Sequence, residues 1–169
     1  VSFTWLMAAP VSRVSVVLGR ILGSALLGAI QAPVFLTVAF LFGARYEGGV
    51  LGVLEVIALA SLCAGAIAGV ASAIALRTGS MQLMQNLFPL MFVLLFTAPA
   101  FFPRDFLSPA LGAIAPFNPL TYVVEGIRAA LHDNPSLGDP LHGFLAASAF
   151  LVVSVLFAAS SMRSRSKKA

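Results

Sequence analysis

Few residues of this 169-residue chain are equipped for chemistry, and their spacing keeps them apart. Glu55 is the one acid inside an apolar stretch, and a carboxylate buried there would suit a proton relay or a substrate contact. It lies only five residues into its run, however, so its side chain can reach the membrane surface. His132 and His142 stand alone and lack the neighbours a metal site needs. Cys63, the only cysteine, has no disulfide partner and no ligand cluster, and reads as a small packing residue. Gln31 lies just before Pro33, where it can satisfy a carbonyl freed by the missing proline N–H or touch a passing molecule. Gln82, Gln85 and Asn86 gather at the start of another apolar run, and would line a polar path or face headgroups. No GxxxxGK[ST] loop, HExxH, CxxC or GxSxG occurs. No catalytic residue, metal site or cofactor site is therefore expected in this chain, and intramembrane catalysis through Glu55, His132 and His142 is a weak reading.

The elements that carry these residues follow from composition. Hydrophobic residues make up 60% of the chain and charged residues 9%, with a mean hydropathy of +1.01. A soluble domain carries about 25% charged residues, so the solvent around this chain must be mostly lipid. Four runs are long enough to cross about 30 Å of hydrocarbon as helices, spanning residues 21–43, 50–76, 83–102 and 141–162. None alternates with period two, which excludes barrel strands. The fold class is all-α, a polytopic transmembrane helix bundle forming one domain. The opening run Val1–Met7 is too short to span and reads as the tail of a helix that begins earlier, so the sequence reads as a fragment.

Charge placement sets the topology. Arg13, Arg20, Arg77, Arg163, Arg165, Lys167 and Lys168 fall on one side of a weaving chain, and Arg45, Arg104 and Arg128 on the other. All six acids lie on or near that second side. The positive-inside rule then puts both ends in the cytoplasm of a cell-membrane, multi-pass protein. The basic tail RSRSKK could bind RNA or anionic lipid but is read as an ordinary topology anchor, so no nucleic-acid partner is expected.

Three connections are informative. Residues 9–20 form a short amphipathic helix at the cytoplasmic surface, capped by Ser12, with Val14, Val17, Leu18 and Ile21 on one face and Arg13 and Arg20 on another. It is either a membrane-entry turn or a docking element. Gly79 breaks the turn between the second and third spans. Residues 103–140 form an outer hairpin. Within it Asn118-Pro119 reads as an N-cap followed by proline at the first helical position. The helix it opens carries an apolar stripe of Leu120, Val123, Val124, Ile127 and Leu131, with Glu125 and Arg128 spaced to pair. It is too short to span, and either lies in the outer interface or dips in and returns. In the second span Ser61, Gly65, Gly69 and Ala73 recur every four residues, a ladder for close helix approach within the chain or between subunits.

The segments APVSRVSVVLGRILG (9–23), FTAPAFFPRDFLSPAL (96–111) and above all PFNPLTYVVEGIRAAL (116–131), in this order around such spans, resemble the membrane subunit of type-2 ABC exporters, the drug-resistance, nodulation-factor and polysaccharide-export permeases. The resemblance covers nearly the whole chain and corresponds to about the C-terminal two-thirds of a six-span permease. It implies a permease subunit of an ATP-driven exporter, paired with a second permease copy and with separate ATPase subunits that hold the ATP and Mg. Pro10, Ser12, Arg13 and Arg20 would then belong to the coupling helix on the ATPase. Asn118, Pro119, Tyr122, Glu125 and Arg128 would form the outer gate, with Gln31, Glu55, Gln85 and Asn86 as candidates for the translocation path. A non-transporting membrane scaffold fits the composition equally well, but not the joint presence of an amphipathic entry helix and a re-entrant hairpin.

Overall fold

A computed structural model describes residues 13–79, 89, 91–98, 100, 113, 115–132 and 140–166, with backbone alone for 13 and 162–166. Every regular element among them is helical: α1 (Arg13–Leu41), α2 (Gly49–Thr78), a 3-10 turn (Ala115–Phe117), α3 (Pro119–His132) and α4 (Pro140–Ser166), with residues 91–97 helical as well. Stretches of α1 (Val14–Leu41), α2 and α4 (Pro140–Ser161) are each long and apolar enough to cross a membrane. Half of the expected third span, with Gln85 and Asn86, lies outside the described residues, as do Pro10, Ser12, the 103–112 stretch and the end of the basic tail.

The entry segment and the first span share one axis. Residues 13–41 form an uninterrupted helix, about 43 Å long at 1.5 Å per residue. Pro33 stays inside it, and the Thr37 hydroxyl donates to the Pro33 carbonyl at 2.7 Å. α2 ends as the sequence predicts. Gly79 adopts a left-handed conformation at φ 61°, and its N–H caps the helix on the Ala75 carbonyl at 3.0 Å.

α2 is the centre of the bundle, packed on α1, α3 and α4. Its neighbours fix the directions. Gly28 of α1 meets Ala60 and Ala64, and Ala25 meets Gly65, so α1 is antiparallel to α2. Leu59 lies against Gly143, Gly65 against Leu151 and Gly69 against Ser154, so α4 runs parallel to α2. The small-residue ladder is thus used within the chain: Gly65 receives α1 and α4, Gly69 receives Ser154, and Ala73 is fully buried.

The burial pattern inverts that of a soluble protein. Leu22, Leu26, Ile30, Phe35 and Phe42 are well exposed, whereas the buried positions are mainly small or hydroxylated, among them Ala66, Ala73, Ala147, Thr121 and Ser154. Leu59 is the largest apolar side chain fully buried among the described residues. With lipid outside, apolar bulk gains little by facing inward, and close approach of helices decides the packing. The α1 stripe illustrates this. Of the four residues on its apolar face, Val17 and Ile21 are buried, while Val14 and Leu18 are 50% and 44% exposed.

Candidate functional site

Two assemblies of side chains stand out, one near the Arg77 end of the bundle and one around α3. At the Arg77 end, Val17 and Ile21 of α1 pack with Ala73 of α2 and Ala158 of α4, flanked by Leu76, Leu151, Val155 and Phe157. The first turns of α1 are thereby seated on both other long helices. Around that seam Val14, Val16, Leu18 and Arg20 stay exposed. One turn beyond Ala73, the Arg77 guanidinium donates through Nε to Ser161 Oγ at 2.9 Å and through Nη2 to Ser160 Oγ at 3.0 Å. It also lies 4.3 Å from the Phe157 ring centroid, within cation–π range. In the sequence Arg77 marks only topology, because nothing local reveals partners more than eighty residues away.

The second assembly begins at Asn118, which is 4% exposed. Its Oδ1 accepts from the Leu120 N–H at 2.9 Å, the N-cap that the Asn-Pro spacing predicts. Its Nδ2 donates to the Leu94 carbonyl at 2.6 Å and to Thr97 Oγ1 at 3.0 Å. Thr121 Oγ1 donates to the Ala115 carbonyl at 2.7 Å, and Tyr122 OH to the Pro116 carbonyl at 3.0 Å. The 3-10 turn, the cap and the first turn of α3 are therefore held as a unit against the 91–97 helix. Thr97 was not singled out from the sequence.

α3 enters the bundle lengthwise. Phe117, Pro119 and Tyr122 share a groove with Ala149, Phe150 and Val153 of α4, roughly 15 Å along α4 from its Pro140 end. At its far end, the N–H groups of Glu47 and Gly48 donate to the Leu131 carbonyl at 2.8 and 3.1 Å, and Gly48 and Gly52 press on Ala130. Midway, Gly126 and Gly143 meet backbone to backbone. A Cβ on Gly126 would come within 2.8 Å of Gly143 Cα, and one on Gly143 within 2.9 Å of Gly126 Cα. The buried face is Thr121, Val123, Gly126, Ala129 and Ala130. Of the apolar stripe only Val123 belongs to that face, while Leu120, Val124, Ile127 and Leu131 are half-buried. A glycine within a helix is the sequence signal for such a close approach, and Gly126 and Gly143 both carry it.

Of the predicted gate residues, Asn118, Pro119 and Tyr122 come together at the start of α3, while Glu125 and Arg128 lie half-buried further along it. Gln31 faces a groove shared with Leu120 and Val124. Glu55 is half-buried on the second turn of α2 and is not among the residues lining that groove. Arg20 lies at the opposite end of α1 from the Tyr46 loop, apart from both Gln31 and α3. Among the described residues no group of three His, Cys, Asp or Glu could hold a metal ion.

A family model described as ABC-2 type transporter matches residues 2–132. No curated protein matches the chain, and no solved structure does.

Proposed function

The chain belongs to the ABC-2 type transporter family, as a membrane-spanning permease component, and from that premise we propose that it forms part of the path of an ATP-driven exporter, coupled to a separate ATPase subunit through the start of α1. The observation that carries the coupling reading is the seam of Val17 and Ile21 with Ala73 and Ala158. A force applied to residues 13–20 is passed directly to α2 and α4, while the exposed face with Val16 and Arg20 is available to a cytoplasmic partner. The arginine distribution supports placing this end in the cytoplasm, with the C-terminus.

In this reading α3 is the outer gate. Its start is tied to the 91–97 helix through Asn118, and its end to the α1–α2 loop through Leu131. A change in either neighbour therefore moves it. Nucleotide drives the cycle only if the ATP-bound partner binds one arrangement of the bundle more tightly than the other. Shifting a 1:99 population to 99:1 takes a preference of roughly ten-thousand-fold. A second permease copy completes the path, and lipid surrounds it. The test is whether an ATPase chain co-purifies with this one in mild detergent, and whether that association is lost on charge reversal at Arg13 and Arg20.

A further inference from the structure

α1, α2, α3 and the 91–97 helix line an open groove of about 390 Å³, at which Gln31 and Phe35 are exposed. Phe35, Cys63, Ile67, Leu95, Leu120 and Val124 are among its walls, and no acid or base lines it among the described residues. Among those residues the one side-chain amide belongs to Gln31. The Thr37, Ser61 and Ser154 hydroxyls on the long helices return to carbonyls of their own backbone. Gln31 is different: its amide makes no hydrogen bond among the described residues. It sits ten residues before the end of α1 at Leu41, roughly 15 Å in. An amide there presents two donors and an acceptor to surroundings in which leaving them unmet is costly. Acyl chains of the bilayer offer neither donor nor acceptor.

We infer that this groove is a cargo-binding site, and that the cargo it takes is an uncharged molecule with an apolar body and a hydrogen-bonding amide, hydroxyl or carbonyl that pairs with Gln31. The inference rests on the exporter reading above. The volume is that of a site for a small organic molecule. A charged molecule would meet no counter-ion among the described wall residues, and a plain hydrocarbon would leave the Gln31 amide unmet.

The test is photolabelling of the protein in phosphatidylcholine vesicles with two probes, a diazirine-bearing dodecanamide and the matching diazirine-bearing dodecane. The amide labels the 60–67 and 120–127 segments roughly tenfold more than the alkane, as one hydrogen bond made inside the membrane predicts. Gln31→Leu brings the two probes level. Val124→Phe, which fills the groove from the α3 wall and leaves Gln31 in place, lowers labelling by both. Equal labelling of the wild type by both probes overturns the inference, because ordinary acyl chains then fill the groove. So does an amide preference that survives both substitutions. Scoring the ATPase in the same preparations separates the two claims. Equal labelling with the ATPase retained overturns the groove alone, and preferential labelling with no ATPase under any condition overturns the cargo role.

Discussion

The Asn118 side-chain nitrogen lies 2.6 Å from the Leu94 carbonyl oxygen, joining the start of α3 to the 91–97 helix across 24 residues of chain. One buried amide thus performs two tasks. Its oxygen caps α3, and its nitrogen fixes where that capped end sits. Asn118→Ala removes both and should lower stability by about 1–3 kcal/mol. Asn118→Ser keeps a capping oxygen but cannot reach as far, and should fall between. Thermal unfolding in detergent measures the series, and equal midpoints for all three would show that the tie contributes nothing.

The Gly126–Gly143 crossing predicts an asymmetry between size and chemistry. Gly126→Ala adds one methyl group where backbone already occupies the space, so α3 must move off α4. The expected cost is about 1–3 kcal/mol, as for other overpacking changes. Protease sensitivity of the α3–α4 connection should rise with it. A Gly126→Ala protein as stable and as protease-resistant as the wild type would contradict this packing.

A rescue experiment addresses the α2–α4 seam. A Cβ at residue 69 would collide with the Ser154 side chain, coming within 2.9 Å of its Cβ. Gly69→Ala should therefore destabilise the bundle, and adding Ser154→Gly should recover part of the loss. The double-mutant cycle should give a coupling of about 1 kcal/mol between these neighbours. Strict additivity would place the two residues apart.

At the other end, Arg77→Ala should loosen α2 from α4 by about 1 kcal/mol, the scale of an exposed cation–π contact with accompanying hydrogen bonds. Arg77→Lys keeps the charge that orients the chain but cannot bond Ser160 and Ser161 in the same fork. It should insert normally and still lose most of the effect. Full stability of Arg77→Lys would reduce Arg77 to a topology charge.

The helical, membrane-spanning architecture was legible because composition and run length report on the solvent. The Gly79 stop and the Asn118 cap were legible because each is a local rule satisfied within a few residues. Which face of each helix turns inward was not. The apolar stripes on α1 and α3 include Val14, Leu18 and Leu120, which are exposed or half-buried, whereas the bundle buries Gly126, Ala129, Ala130 and Thr121. Bulk hydrophobicity cannot mark the inside of a protein whose outside is lipid. The ties from Arg77 to Ser160 and Ser161, and from Asn118 to Leu94 and Thr97, span too much sequence for spacing to reveal them.

Co-purification tests the central claim most directly. The tagged chain, extracted from its native membrane in mild detergent, should bring with it a chain bearing a GxxxxGK[ST] phosphate loop in stoichiometric amount. Replacing Arg13 and Arg20 by glutamate should abolish that association while leaving membrane insertion intact. A well-folded protein that carries no such chain at any salt concentration, or one whose ATPase is retained in the Arg13→Glu, Arg20→Glu variant, would contradict coupling through the start of α1.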